Sequence, residues 1–399
     1  MGPWVVLASL VAAAPAPRDL VGEIDGIVQK RFYAPAKLEE TGWSASVAKA
    51  REAYGKAPDP AARHEVLRAL MASLKTSHTA YYPREDPSYW ALAAIFEPFL
   101  KKSCPKERAP AFPVTRDDIG AFWKPIGGEW FVAGVYPGGP AEAAGLKVGD
   151  RVSSAAGRPF GPVDSFSGKA GRAVTLEVQR SREGAPLKLK VTPRATRPLE
   201  EFRQATEDSY RVIERRGRRI AYVRVWSWTG EAVQQTVLDA VNKANDEKTD
   251  GFILDVRDGW GGADPSYLGM FFQAVPVLES VARDGKTTRF DRQIHTPAVL
   301  LVNGGSRSGK EGIAYGAKKH HLMRLVGERT AGGVLFGTPI CLGDGSLLWL
   351  AVMGARVDGE VLEGVGVAPD VEVPFDLRYA AGADPQLDRA VELLSATGG

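Results

Sequence analysis

Strand-like apolar runs alternate with helical patterns from about residue 218 to the end of the chain. The runs RRIAYVRVWSW, GFILDVRD and PAVLLVN are rich in β-branched and aromatic residues. Between and after them, GEAVQQTVLDAVNKAND, KEGIAYGAKK and the closing PQLDRAVELLSA place apolar residues at helical spacing. This alternation predicts an α/β core with largely buried strands, which we assign to residues 201–399.

The chain before this core falls into two segments with different residue patterns. Residues 18 to about 76 contain three helical patterns separated by Pro and Gly, and an irregular, proline-containing stretch follows to residue 112. We therefore expect an N-terminal helical lobe with a linker over residues 17–112. A chain of 399 residues is long enough for two or three domains.

Between about residues 113 and 197 the pattern changes to short β-like runs with Gly and Pro turns. The segment from Val135 to Asp150, VYPGGPAEAAGLKVGD, resembles the PDZ segment in which a strand, a short helix and a Gly-Leu-x-x-Gly-Asp turn follow one another. The resemblance implies a PDZ-like, β-rich domain over residues 113–200, which would hold a peptide by adding it as a strand to a sheet edge. A generic β-barrel with similar turns is the alternative.

Two glycine-rich polar loops follow buried strands of the core, where open α/β sheets build their sites. They run from Asp255 to Gly262 and from Val302 to Glu311. In the second loop, glycines around Ser306 and Ser308 permit a sharp turn, and the following helix directs N–H groups toward an exposed hydroxyl. This arrangement suits a nucleophile and an oxyanion, although a capping loop or a phosphate cradle would have the same pattern.

A serine nucleophile needs a base, and the chain has five histidines. His64, His320 and His321 lie in charged helical surroundings, and His295 is typical of a surface turn. The remaining candidate, His78, stands between hydroxyl residues in LKTSHT, where a surface or capping histidine would also fit.

The chain is similar to the tail-specific (carboxyl-terminal-processing) serine peptidases over nearly its whole length. The similarity rests on YVRV, GFILDVR, the Gly261–Gly262 pair, PAVLLVN, SRSGKE and VGERTAG, in that order. It implies a crotonase-like (ClpP-like) fold for the α/β core. It also implies that the nucleophile is Ser308, three residues before Glu311. In the Ser/Lys branch of the family a lysine stands where this chain has Gly333, so that dyad is not expected.

The tricorn-like branch of the family uses serine, histidine and glutamate instead. Ser77-His78-Thr79 and the segment from Glu363 to Asp370, EGVGVAPD, resemble the two segments that carry its histidine and glutamate. The resemblance implies that His78 is the base, that Glu363 orients it and that Ser77 assists.

In the same interpretation, backbone N–H groups of Gly309 and Gly261 would hold the oxyanion. We expect no metal and no organic cofactor.

Charge and cysteine content exclude several other classes. The net charge of +3 without a dominant Lys/Arg run does not favour a nucleic-acid partner. Cys104 and Cys341 form no Cys-x-x-Cys or Cys/His group, so neither a zinc site nor a disulfide framework is indicated, and a single bridge between them stays open.

The first 16 residues resemble a signal peptide, with a short apolar run that ends in small residues. No Lys or Arg precedes the run, and Pro15 lies at the expected cleavage positions. We predict export to a periplasmic or extracellular location, with a cytoplasmic location as the alternative. No other segment approaches the ~20 apolar residues of a membrane span.

The sequence therefore predicts a multidomain serine endopeptidase that acts on protein or peptide substrates, in particular unfolded or C-terminal segments presented by the PDZ-like domain. Two alternatives remain open. One is a catalytically inactive peptide-binding scaffold of the same fold, and the other is a crotonase-like acyl-CoA enzyme with a similar oxyanion turn.

Overall fold

The computed structural model describes residues 19–271 and 276–396. The signal peptide expected at residues 1–16 lies outside the described residues. None of the described helices is both long and apolar enough to cross a membrane.

The N-terminal lobe is helical, as the apolar spacing predicts. Local signals begin its helices: Pro60 opens the fourth helix, and the Asp59 side chain accepts the N–H of Ala62 as an N-cap. The lobe contains α1 (Leu20–Arg31), α2 (Pro35–Glu40), α3 (Trp43–Lys56), α4 (Pro60–Ala72), a short strand β1 (Ala80–Tyr82), α5 (Pro87–Ile95) and α6 (Glu97–Ser103). Its core packs around the buried side chains of Ile24, Trp43 and Leu67.

The second domain is a small antiparallel β structure. It contains β2 (Arg116–Asp118), β3 (Ala121–Ile126), β4 (Glu129–Val135), α7 (Pro140–Ala143), β5 (Arg151–Ala155), β6 (Arg158–Pro159), β7 (Val174–Gln179), β8 (Leu187–Val191) and β9 (Arg194–Thr196). The sheet order is β3-β4-β5-β7-β8, with β6 paired to β5. At the base of the domain, β2 and β9 pair with each other, so the chain enters and leaves at one place.

The Gly-Leu-x-x-Gly-Asp turn of this domain contacts the rest of the protein. Asp150 is fully buried, accepts the N–H of Lys147 and pairs with Arg180. Gly149 has a φ of +89°, and a Cβ there would lie 2.3 Å from the backbone N of Ala380. Only glycine permits this close approach of the turn to the C-terminal segment.

The third part is the predicted α/β core. It contains α8 (Pro198–Asp208), β10 (Arg211–Arg215), β11 (Arg218–Arg224), α9 (Glu231–Asp246), β12 (Gly251–Asp255), a 3₁₀ helix (Pro265–Phe271), β13 (Leu278–Val281), β14 (Thr287–Phe290), β15 (Ala298–Val302), α10 (Gly309–Lys319), β16 (Arg324–Gly327), β17 (Phe336–Cys341), β18 (Leu347–Met353), β19 (Val371–Glu372) and α11 (Pro385–Ala396). The main sheet has the order β10-β11-β12-β15-β16-β19, in which β11 to β19 run parallel and β10 is an antiparallel edge.

Both faces of this sheet are covered, which explains why its central strands β12 and β15 are largely apolar and buried. Phe252 and Leu254 of β12 pack in one cluster with side chains of α9 and α10. Ile253, which points to the opposite face, packs with Val391 of α11.

Residues 334–353 carry a feature that the sequence analysis did not predict. The antiparallel hairpin β17–β18 pairs with β1 of the N-terminal lobe, giving a three-stranded sheet of order β1-β18-β17. The side chains of Cys104, at the end of α6, and Cys341, in β17, form a disulfide. The lobe is thus joined to the core both by a sheet and by a covalent bond.

Candidate active site

Ser308 lies where the main sheet presents the carboxyl ends of its parallel strands. β12 and β15 are hydrogen-bonded neighbours, so the polar loops that follow them lie side by side. Ser308 is the residue before α10 and has a φ of +59°, a conformation that a non-glycine residue adopts only at a cost. Its N–H donates to the carbonyl of Gly333 at 2.7 Å, which fixes the turn.

The neighbouring serine is part of the framework. Ser306 is fully buried, donates its hydroxyl to the carbonyl of Val256 at 2.9 Å and accepts the N–H of Asn303 at 3.1 Å. Among the described residues the hydroxyl of Ser308 has no such partner. The two candidate hydroxyls therefore differ: the hydroxyl of Ser306 stabilises the loop, whereas the hydroxyl of Ser308 has no partner in the described residues and can react.

Two positions next to Ser308, Gly261 and Gly309, require glycine because neighbouring segments of the chain approach them closely. A Cβ on Gly261 would lie 2.5 Å from Ser308 Cβ, and one on Gly309 would lie 2.2 Å from the carbonyl oxygen of Ala263. Within the described ranges, neither glycine N–H has a hydrogen-bond partner. Two unpaired backbone donors thus stand in the immediate neighbourhood of the Ser308 hydroxyl.

Ser77, His78 and Glu363 form one hydrogen-bonded chain. The carboxylate of Glu363 accepts the N–H of Ser77 at 2.9 Å and its hydroxyl at 2.8 Å, and a third bond comes from the N–H of Val334 at 3.1 Å. Ser77 Oγ lies 3.0 Å from Nδ1 of His78. Because the single O–H of Ser77 donates its hydrogen bond to Glu363, Ser77 Oγ must accept a hydrogen bond from Nδ1–H of His78. This leaves Nε2 unprotonated in the neutral ring.

The imidazole is poised as a neutral group. Burial lowers the pKa of His78 to about 4, and the positive charge of Arg307 acts in the same direction. The ring lies with its centroid 5.7 Å from that of Trp349, which covers it. A free histidine titrates near pH 6.5, so the protein holds this one in its basic form over a wider pH range.

Gly333 occupies the position where the Ser/Lys branch has its lysine, and the structure gives a steric reason for glycine there. A Cβ on Gly333 would lie 3.2 Å from Ser77 Cβ and 3.6 Å from Ser77 Oγ. The N–H of Gly333 donates to the buried carboxylate of Glu311 at 2.6 Å, while its carbonyl accepts the N–H of Ser308. The residue therefore links the Ser308 turn to Ser77 and leaves room for Ser77.

We expect Gly333→Ala to lower kcat by about ten- to a hundredfold, because the new methyl group displaces Ser77 by a few tenths of an ångström and misaligns His78. Steady-state kinetics and the unfolding temperature measured together would show an active-site effect in a folded protein. Gly304→Ala is the matched control, since a Cβ there meets nothing nearer than 3.9 Å. Equal kinetics for both variants would contradict this account of Gly333.

Lys310, the remaining basic residue of the serine motif, points away from the Ser308 hydroxyl. Its side chain is fully buried, and Nζ donates to the carbonyls of Val225 and Asp258, each at 2.8 Å. Burial lowers its pKa to about 7. Of the other histidines, His295 pairs with Asp291.

Ser77, His78, Gly261, Ser308 and Gly309 all line one cavity of about 1020 Å³. Its walls include apolar residues that the sequence analysis did not select, from α5 and the residue after it and from the hairpin β17–β18 and the residue before it: Leu92, Ile95, Phe96, Leu335, Phe336 and Trp349. In the part of the chain that the structure describes, no direct hydrogen bond joins His78 to Ser308. The described residues also contain no group of three or more His, Cys, Asp or Glu side chains that could hold a metal ion.

Comparisons with known proteins identify two regions of the chain. Residues 219–373 match the family model of Peptidase family S41, and residues 131–180 match a PDZ domain. A solved photosystem II D1 C-terminal processing protease aligns with a TM-score of 0.50 and 22% identity, covering 92% of this chain and 97% of that chain. The likeness confirms the predicted multidomain α/β fold class.

Two curated relatives have related names. The carboxy-terminal-processing protease of Bartonella bacilliformis is 26% identical over 268 residues, which cover 60% of this chain and 58% of that protein. Tricorn protease homolog 1 of Streptomyces coelicolor is 29% identical over 268 residues, which cover 63% of this chain and 24% of that protein. The matched part thus spans less than two thirds of either relative.

Proposed function

We propose that the chain is a serine endopeptidase of the tail-specific kind, because residues 219–373 match peptidase family S41 and residues 131–180 match a PDZ domain. We assign the tricorn-like arrangement, with Ser308 as nucleophile and His78, Ser77 and Glu363 as its activating chain. The hydrogen-bonded series Glu363–Ser77–His78, of which Ser77 and His78 line the same cavity as Ser308, is the observation that carries the proposal.

The chemistry follows from the protonation states. Nε2 of neutral His78 accepts the proton of Ser308 as Oγ attacks the peptide carbonyl carbon. The resulting oxyanion accepts hydrogen bonds from the N–H groups of Gly261 and Gly309. The imidazolium then returns its proton to the leaving amine, and water hydrolyses the acyl-enzyme by the same steps. No metal or organic cofactor takes part in these steps.

Ser77 separates the carboxylate from the imidazole in this scheme. As His78 becomes charged, its Nδ1–H bond to Ser77 strengthens, and Ser77 in turn is held by Glu363. The carboxylate therefore stabilises the imidazolium through one intervening hydroxyl. Two backbone N–H bonds, from Ser77 and Val334, keep the carboxylate in place.

We propose unfolded or C-terminal protein segments as substrates. In the PDZ domain, β3 is the first strand in the sheet order and has a neighbour on one side only. Such an edge can take up an extended peptide as an additional strand. A segment held there would be supplied to the cavity that contains Ser308.

We also propose that the protein is exported. The Cys104–Cys341 disulfide supports this, because disulfides persist in oxidising compartments such as the periplasm and the extracellular space. The N-terminal apolar run supports the same location.

The glycine at position 333 does not indicate an inactive scaffold. The absence of the lysine is one argument for such a scaffold, yet the space at Gly333 is used by Ser77, which belongs to the His78 chain.

The proposal predicts that a fluorophosphonate probe labels the purified protein and that a permanently unfolded protein substrate is hydrolysed. A chelator should leave both unchanged, because the reaction uses only side chains and backbone N–H groups. The heat-denatured protein is the control for labelling, since an ordinary serine hydroxyl does not react. A folded protein that neither reacts with the probe nor hydrolyses the substrate would overturn the proposal.

A further inference from the structure

Arg307, the residue directly before Ser308, is a cation without a carboxylate partner among the described residues. It lines the cavity beside the nucleophile. Its guanidinium carbon lies 4.5 Å from the centre of the Trp260 ring, and Nε and Nη2 donate to the carbonyl of Gly259 at 3.3 and 3.2 Å. These contacts fix the orientation of the guanidinium and leave its charge uncompensated.

The other charges around the cavity are weaker candidates for binding a ligand. Three of the lining residues are acidic or basic residues other than histidine and tyrosine: Arg307, Arg356 and Asp264. Arg356 and Asp264 are exposed, and each is engaged in its own turn, with Gly359 and Ser266 respectively. Arg307 is partly buried, so its charge acts through less water.

The guanidinium also has donors left for a ligand. Two of its N–H groups share one carbonyl oxygen, and the others have no hydrogen-bond partner within residues 19–271 and 276–396. A planar guanidinium matches the two oxygens of a carboxylate, and stacking on an aromatic ring preorganises it for that contact. Most of the remaining wall is apolar, which strengthens a charge-assisted hydrogen bond formed inside the cavity.

We propose that Arg307 recognises a carboxylate of the substrate within a few residues of the bond that Ser308 attacks. The inference rests on the proposed peptidase activity and specifies its substrate class. The carboxylate has two chemical sources, an acidic side chain or the C-terminal carboxylate of the peptide. Both present the same pair of oxygens to the guanidinium.

The test uses quenched fluorogenic peptides of one sequence in matched pairs. In one arm, the two peptides of a pair carry Glu and Gln respectively at the same position near the scissile bond, and each flanking position is tested in turn. In the other arm, a peptide with a free C-terminus is compared with its C-terminal amide. We expect at least one acidic peptide to exceed its uncharged twin by about tenfold or more in kcat/KM. The arm that shows the preference identifies the source of the carboxylate.

Arg307→Met should bring the preferred pair to nearly equal kcat/KM, because it removes the charge and keeps an unbranched stem over Trp260. Arg307→Lys should retain part of the preference, since it keeps the charge but loses the fork. The matched control is Arg356→Met, which removes the second arginine of the cavity and should leave the preference intact. A ratio within each pair cancels any effect of the substitutions on the chemical step.

A binding measurement tests the role of Arg307 separately from the proposed peptidase activity. Fluorescence anisotropy of the same peptides with the Ser308→Ala protein measures the contact without turnover, and we expect the acidic twin to bind about tenfold more tightly. A wild-type protein that reacts with fluorophosphonate but cleaves and binds both twins equally would overturn the role of Arg307 alone. Loss of probe reaction with the binding preference intact would overturn only the peptidase assignment.

Discussion

Ser308→Ala is expected to abolish fluorophosphonate labelling and to lower kcat by about five to six orders of magnitude, as loss of the nucleophile does in a comparable serine peptidase. The residual rate would come from substrate binding and from the N–H groups of Gly261 and Gly309. Labelling and hydrolysis of an unfolded protein measure the two effects, and the unfolding temperature shows whether the variant stays folded.

Ser306→Ala is the matched control, two residues away in the same loop. It removes the bonds to Val256 and Asn303 and should lower the free energy of unfolding by about 1–3 kcal/mol. Labelling should persist and a substantial fraction of the activity should remain. The reverse result, with labelling lost only in Ser306→Ala, would place the nucleophile at the other serine.

His78→Ala is expected to lower kcat by about four orders of magnitude or more, because no other group in the described site can accept the proton of Ser308. Lys310→Met is the control. The ammonium of Lys310 is bonded to two backbone carbonyls, so its loss should change kcat by less than about tenfold while lowering stability. Full activity without His78 and loss without Lys310 would contradict the assigned base.

The pH dependence distinguishes the same two bases in the unmodified protein. His78 is active when neutral, and its pKa is lowered to about 4, so kcat/KM should fall as the pH drops through about 4 and should be level above that range. A histidine with an ordinary pKa would give a transition near pH 6.5, and the burial of the ring moves this transition downward. If Lys310 were the base, the corresponding transition would lie near its lowered pKa of about 7.

The family resemblance named the residues proposed for the site, but the contacts between them could not be derived from local sequence patterns. Strand and helix periods are local, so β12, β15 and α10 and the loops between them were predictable. The contact of Ser77 with Glu363 joins positions 286 residues apart, and it depends on a lobe that is docked through β1 and β18. A short strand such as β1 carries too little pattern to reveal that pairing.

Arg307 and Gly333 illustrate the same limit. The glycine in place of the lysine counted as a departure from the Ser/Lys pattern, and the sequence analysis assigned no role to Arg307. Only the positions of Trp260 and Ser77 show that one residue is preorganised and that the other makes space. Side-chain pKa values are equally hidden, because the burial of His78 comes from elements distant in the chain.

The disulfide gives the chain a particular topology. With a sequence separation of 237, Cys104 and Cys341 close a covalent ring that includes the whole PDZ domain and Ser308, whereas His78 and Glu363 lie on the two tails outside it. A protein with the proposed peptidase activity is exposed to cleavage by other copies of itself, and surface loops such as residues 181–186 are the first targets. A single cut inside the ring opens the loop but releases no fragment. The nicked protein therefore remains one covalent molecule until a reductant separates its two pieces.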